Sequence, residues 1–308
     1  MDRREFLQTG ASCAAHLSLW GRERFFARPF GRQIRVEPWG RVERVGEGVW
    51  ALISTPLVEG PDSRRTLCNG GIVAGRSGLA IIEGFASEGG ARWVAGVARE
   101  LTGRAPTHVV LSHYHGDHSG GLAGYHADGA APLFISTEAT RARLTPTGSA
   151  ATTLAGARLV GTTPETIDLG GTKLTITPRA GHTASDLSIA VEDPRVVFGG
   201  DLLWNGMFPN YRDAVPSVLT QSVRQLLRDE AIRIPGHGAI PTAAEAASYV
   251  AVLDLVETAA RQAVAAGTPI DAAAAAFAIP ASLGDWVRFN PTYFQVALRA
   301  WERELRPS

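Results

Sequence analysis

Apolar positions in this chain follow two rhythms. Through the first 240 residues, short runs bounded by glycine or polar residues recur: Asn69-Gly70-Gly71-Ile72-Val73, Leu79 to Ile82, His108-Val109-Val110-Leu111, Lys173 to Pro178, Arg195-Val196-Val197-Phe198 and Ala231-Ile232-Arg233-Ile234. Short β-branched runs with such boundaries predict buried strands. Between them the sequence predicts helices over Ser87 to Leu101 and Ser217 to Arg228. After Ile240 the rhythm becomes helical throughout. Pro241 to Gly267 is alanine-rich, Ile270 to Ala278 is similar, and Pro291 to Leu305 sets Phe294, Val296, Leu298 and Trp301 near helical spacing. Stripes of this kind usually bury against a neighbouring layer. The pattern therefore predicts a mixed strand-and-helix body over 36–240 and a helical extension over 241–308 packed on it.

Composition agrees with one large core, since 308 residues at 45% hydrophobic content suffice for a compact α/β body. Thirty basic residues balance thirty acidic ones, and no dense Lys/Arg stripe interrupts the chain. A polyanion has no electrostatic footprint to bind, which speaks against nucleic acid and for a small-molecule substrate.

Residues 1–35 read differently. Asp2-Arg3-Arg4-Glu5-Phe6-Leu7-Gln8 looks like a twin-arginine signal, followed by a weakly apolar stretch from Thr9 to Trp20. That stretch is too short to span a membrane as a helix. The expectation is a signal peptide and linker, the twin-arginine export machinery as a partner, a periplasmic location, and no stable membrane span in the mature protein. Ala27 and Gly31 are the candidate cleavage boundaries, and Cys13 lacks the upstream aliphatic residue of a lipid-attachment site. Removal of the signal leaves Cys68 alone, so no internal disulfide forms; its strand context suggests a buried structural thiol.

The chemistry concentrates in one hexapeptide. His113-Tyr114-His115-Gly116-Asp117-His118 contains four side chains that donate a lone pair to a divalent metal once deprotonated, on the loop between a predicted strand and a helix starting at Ser119-Gly120-Gly121. Further donors stand at three other predicted strand ends, each beside glycine: His182, Asp201 and His237. Thr183, Ser185 and Asp186 either orient His182 or cap its turn. Phe85, Trp204, Phe208 and Tyr211 either line a pocket or cover the core edge; the segment Trp204 to Tyr211 reads as a loop. The remaining histidines, His16, His108 and His126, read as ordinary loop or core residues.

With these motifs in order, H-x-H-x-D-H followed by separate His, Asp and His, the chain resembles the metallo-β-lactamase superfamily from about Val42 to Ile240. The resemblance implies an αββα sandwich of two mixed sheets with outer helices. It also implies one metal on His113, His115 and His182, a second on Asp117, His118 and His237, and Asp201 bridging them. Two Zn²⁺ are expected by family habit, although iron and manganese suit the same donors. The implied activity is dinuclear metal-dependent hydrolysis, a metal-bound hydroxide attacking an ester, thioester or lactone carbonyl as in glyoxalase II-like enzymes, with Asp117 handling the proton. Two alternatives stand beside it. One is a β-lactamase, although true lactamases usually carry Cys or Ser where this chain has Asp201. The other is a mononuclear iron sulfur or persulfide dioxygenase. His115 separates the chain from the diiron flavoprotein branch, where glutamate usually stands at that position.

Overall fold

In a computed structural model, the protein is described over residues 29–144 and 152–306. The expected signal motif, His16, Cys13 and Ala27 lie outside the described residues. Thirteen strands among these residues form two sheets. The larger runs β1 (Arg32–Glu37), β2 (Gly40–Gly46), β3 (Val49–Ser54), β4 (Gly70–Ala74), β5 (Leu79–Ile82), β6 (His108–Val110), β7 (Leu133–Thr137) and β8 (Arg158–Val160), in that spatial order. Its first five strands pair antiparallel and the last three add in parallel. The smaller sheet has the order β13-β12-β11-β10-β9, built from β9 (Glu165–Asp168), β10 (Lys173–Arg179), β11 (Asp186–Val191), β12 (Val196–Trp204) and β13 (Ile232–His237). Strand β1 begins at Arg32, inside the stretch expected to be linker.

Period-2 alternation decides which face meets which layer. Ala51, Ile53, Val73, Ala80, Ile82 and Val110 point from the large sheet into a core shared with Leu174, Ile176, Leu187, Ile189, Val196 and Ile234 of the small one. The opposite face of the large sheet buries Leu52, Ile72, Leu79, Ile81 and Val109 against helix α1 (Glu88–Thr102). That helix starts where Ser87 Oγ accepts the Gly90 N–H at 3.1 Å and stops at Gly103, whose φ of 73° ends the helix without a Cβ penalty. Its buried Ala91, Val94, Val97 and Ala98 recur at three- and four-residue spacing, the interval that lays one stripe on a sheet.

Helices α2 (Gly116–Ser119, one turn) and α3 (Glu138–Arg143) belong to the larger sheet's connections, and α4 (Pro216–Leu226) links β12 to β13 in the smaller sheet. The C-terminal helices α5 (Ala243–Ala266), α6 (Ile270–Ala276) and α7 (Tyr293–Leu305) then pack with α4 against the far end of β12. A capping box between Thr242 and Glu245 starts α5, and Gly267 at φ 66° ends it. Leu298 and Trp301 of α7 are buried, and Phe294 meets Phe208 and Phe277 edge-on at 4.8 Å, so the aromatic stripe serves packing. The architecture is the α/β sandwich of two mixed sheets with outer and C-terminal helices that the sequence predicts. No helix among the described residues is long and apolar enough to cross a membrane.

Candidate metal centre

Strand ends from both sheets meet at one point because their backbones are tied together there. Leu187 N–H of β11 donates to Ser112 O at the exit of β6, and Asn69 reaches across to β13 twice, through its N–H to Gly236 O and its Nδ2 to Gly238 O, both at 2.7 Å. These ties fix the spacing between the 113–118 segment, the β10–β11 loop carrying His182, and the adjacent strands carrying Asp201 and His237.

Two details differ from the sequence reading. The helix begins at Gly116 and not after the ligand segment, so Asp117 and His118 lie on its single turn. Strand β12 does not stop at Phe198 but runs to Trp204, and Asp201 sits inside it. The reason is Gly200, whose φ of 51° breaks the β12–β13 register and lets the strand continue after a bulge. Gly236 opposite must lack a side chain, because a Cβ there would strike the Asp201 carboxylate.

All seven candidate donors converge. His113, His115, His182 and Asp201 form one group and Asp117, His118 and His237 another, each with ligand atoms within 4.8 Å of one another. Nδ1 of His115 lies 3.1 Å from His113 Nε2 and 2.9 Å from His182 Nε2. In the second group, His237 Nε2 is 3.1 Å from Asp117 Oδ2. Asp201 divides its carboxylate between them: Oδ2 is 3.3 Å from His182 Nε2 and 4.0 Å from His113 Nε2, whereas Oδ1 is 3.1 Å from His118 Nε2 and 3.4 Å from His237 Nε2. Distance alone would make the Oδ1 contacts ion pairs, yet Asp201 Oδ1 and the Nε2 atoms of His118 and His237 are buried without hydrogen-bond geometry. Direction is the stricter criterion. Buried donor atoms aimed at a shared point and unsatisfied by each other are the signature of a cation site, so the residues present fit divalent metal.

The electrostatics of the two groups differ. Burial holds His182 down at about 3 and His113 well below the usual histidine range, so both stay neutral lone-pair donors. Burial also opposes charge on His118 and His237, but there the neighbours win. Cys68, Asp201, Glu83 and Asp117 raise His118, and Asp201 with Asp117 raises His237 to about 9. The carboxylates respond reciprocally. Burial would push Asp117 and Asp201 up, yet His118 and His237 hold both below the ordinary carboxylate range.

Three residues that sequence reasoning missed orient these donors. Glu83, directly after β5, is buried at φ 85° and places Oε1 3.2 Å from His118 Nδ1, an ion-pair approach without hydrogen-bond geometry, while Oε2 accepts the Ser112 N–H. A non-glycine residue in this left-handed region costs of order 1 kcal/mol, held in place here by Tyr125, whose hydroxyl donates to Glu83 O at 2.9 Å. Asp213, after β12, accepts from His115 Nε2, and Ser112 Oγ pairs with His113 Nδ1 at 2.9 Å. For Glu83 the one signal in the sequence was a carboxylate following an apolar strand, which periodicity does not flag; Asp213 and Ser112 carried none.

Other candidates resolve differently. Asp186 accepts from Thr183 N and Oγ1, and Thr183 Oγ1 accepts from Ser185 N, so this trio caps its turn; His182 Nδ1 has no hydrogen-bond partner among the described residues. Phe85, Phe208 and Tyr211 are fully buried core residues. Trp204 closes β12 in place of opening a loop; its indole lies 4.2 Å from the His237 ring at 30° and its Nε1–H donates to Asp201 O at 2.8 Å. Cys68 is buried, and burial pushes its thiol up to about 12, as suits a structural residue. His108 contacts Thr107 and His126 packs on Phe134; neither joins the cluster.

The family model for the metallo-beta-lactamase superfamily matches residues 64–237, a span holding every one of the seven donors. This chain belongs to that superfamily. Most metallo-beta-lactamase superfamily members are metal-dependent hydrolases, and no curated protein matches this sequence. Solved structures share the fold. A metallo-beta-lactamase from Pontibacter korlensis is 20% identical with a TM-score of 0.56, covering 70% of this chain and 99% of that one. The metallo-beta-lactamase from Hirschia baltica is 19% identical at 0.53, covering 70% and 97%. The stereoselective inverting sec-alkylsulfatase Pisa1 from Pseudomonas sp. is 15% identical at 0.64 and covers 96% of this chain and 62% of its own. Coverage of that extent takes in C-terminal helices that lie beyond the superfamily match.

Proposed function

We propose that this superfamily member is a dinuclear metal-dependent hydrolase of an ester, thioester or lactone, exported to the periplasm by the twin-arginine machinery. The observation that carries the reading is the division of the Asp201 carboxylate, one oxygen toward each group of imidazoles. His113, His115 and His182 would hold one ion, Asp117, His118 and His237 the other, and Asp201 both. When bound, two such ions lower the pKa of coordinated water toward neutrality and polarise a carbonyl. The chain supplies the rest. Asp213 would aim His115, Glu83 would face His118 as a carboxylate partner, and Asp117, whose side chain stays 28% exposed, would accept a hydrogen bond from the nucleophile or pass on its proton. Zinc is the proposed metal; iron and manganese suit the same nitrogen and oxygen donors.

Metal analysis of the exported chain beside its His118→Ala variant tests this. Two zincs falling to about one supports the proposal; a single iron untouched by the substitution supports a mononuclear iron sulfur or persulfide dioxygenase instead. β-Lactamase activity is the second reading, favoured by the lactamases among the structural neighbours. Asp201 in place of Cys or Ser argues against it, and a metal-replete sample inert toward nitrocefin would remove it.

A further inference from the structure

Phe289 belongs to the C-terminal segment between α6 and α7, yet its ring meets the metal centre. It stands edge-on to the imidazole of His237, centroids 5.4 Å apart at 80°, and edge-on to Trp204 at 6.2 Å. The segment is held rigidly in this place. Val287 N–H donates to Gly206 O and Phe208 N–H donates to Val287 O, joining it to the chain leaving β12. Trp286 stacks on Tyr249, and Asn290 Oδ1 accepts from Thr292 N and Oγ1. Phe289 itself remains only half-buried, whereas Trp204 beside it is covered. Trp286 and Val287 are half-buried too, but of the three the Phe289 ring stands against a metal-donor imidazole, and an apolar ring left partly open there is placed to meet a ligand.

We infer that Phe289 is a specificity-determining residue: it gives the His237 side of the centre an apolar wall and selects substrates carrying an alkyl or aryl chain next to the scissile carbonyl. This rests on the metal-centre reading above and adds the substrate class to it. The extension is thereby part of the pocket and not only of the scaffold.

Zinc-loaded full-length protein, its metal content measured first, is titrated calorimetrically with acetohydroxamate and octanohydroxamate, and the titrations are repeated on Phe289→Ala and Phe289→Leu. The wild type is expected to bind the long chain at least tenfold more tightly, because each covered methylene adds to affinity. In Phe289→Ala that preference falls about tenfold while acetohydroxamate affinity changes less than twofold; Phe289→Leu keeps part of it and serves alone if the alanine variant loses metal. Full metal with no chain-length preference, or a preference retained in both variants, overturns this inference alone. Failure of the wild type to hold metal overturns the metal centre itself.

Discussion

Asp213 Oδ2 lies 2.9 Å from Nε2 of His115, on the side of the imidazole away from the other donors. A carboxylate only accepts, and the hydrogen bond with His115 holds the Asp213 carboxyl at about 2, so Nε2 carries the proton and Nδ1 turns its lone pair toward His113 and His182. One residue on a connecting loop thus chooses the tautomer of a donor on another. Replacing Asp213 with Asn is expected to weaken the first ion about 10- to 100-fold and spare the second. Competition titration against a chromophoric chelator reads both constants; equal weakening of the two would contradict this assignment.

Trp204→Ala should act on stability and metal content together. The indole is buried, covers His237 and donates to Asp201 O, so its removal opens a cavity behind two donors. A loss of about 3–5 kcal/mol is the expected scale. Denaturant unfolding and metal analysis check it, and a variant with full metal whose KM alone changes would place Trp204 against substrate.

Proton linkage separates the two groups. His237 in the metal-free chain titrates at about 9 while His182 titrates at about 3. Filling the second group therefore displaces a proton at neutral pH, and its affinity should rise about tenfold per pH unit up to pH 9 for each proton released. His113 and His182 of the first group are held neutral by burial and release no proton over the same range. For the metal-free fold the sign reverses: a pKa raised above the unfolded 6.5 stabilises fully below 6.5, and that contribution is lost as pH rises through 9. Thermal melts with and without chelator should diverge toward alkaline pH, the metal-free form falling.

Glu43 is fully buried on β2, ion-paired to buried Arg41 at 2.5 Å, and accepts the N–H groups of Phe30 and Gly31. Glu43→Ala removes the carboxylate half of a buried ion pair and should cost about 3–5 kcal/mol. An unfolding free energy lowered by less than a third of that would show that Arg41's other contacts compensate.

The sequence alone determined the class of the fold and marked the seven candidate donors that the structure brings together. Short β-branched runs favour burial in sheets, the alanine-rich stretches after Ile240 favour helices, and the ordered His and Asp donors stand beside glycines, a pattern local enough to be read by spacing. Tertiary structure decided the rest. That Asp201 sits within β12 depends on Gly200 breaking register with β13, a matter of pairing between strands. Glu83, Asp213 and Phe289 meet His118, His115 and His237 from positions tens of residues distant, and Trp204 is buried because helices from the far end of the chain cover it. Burial and hydrogen-bond direction are properties of packed neighbours, and no periodicity along one chain encodes which neighbours arrive.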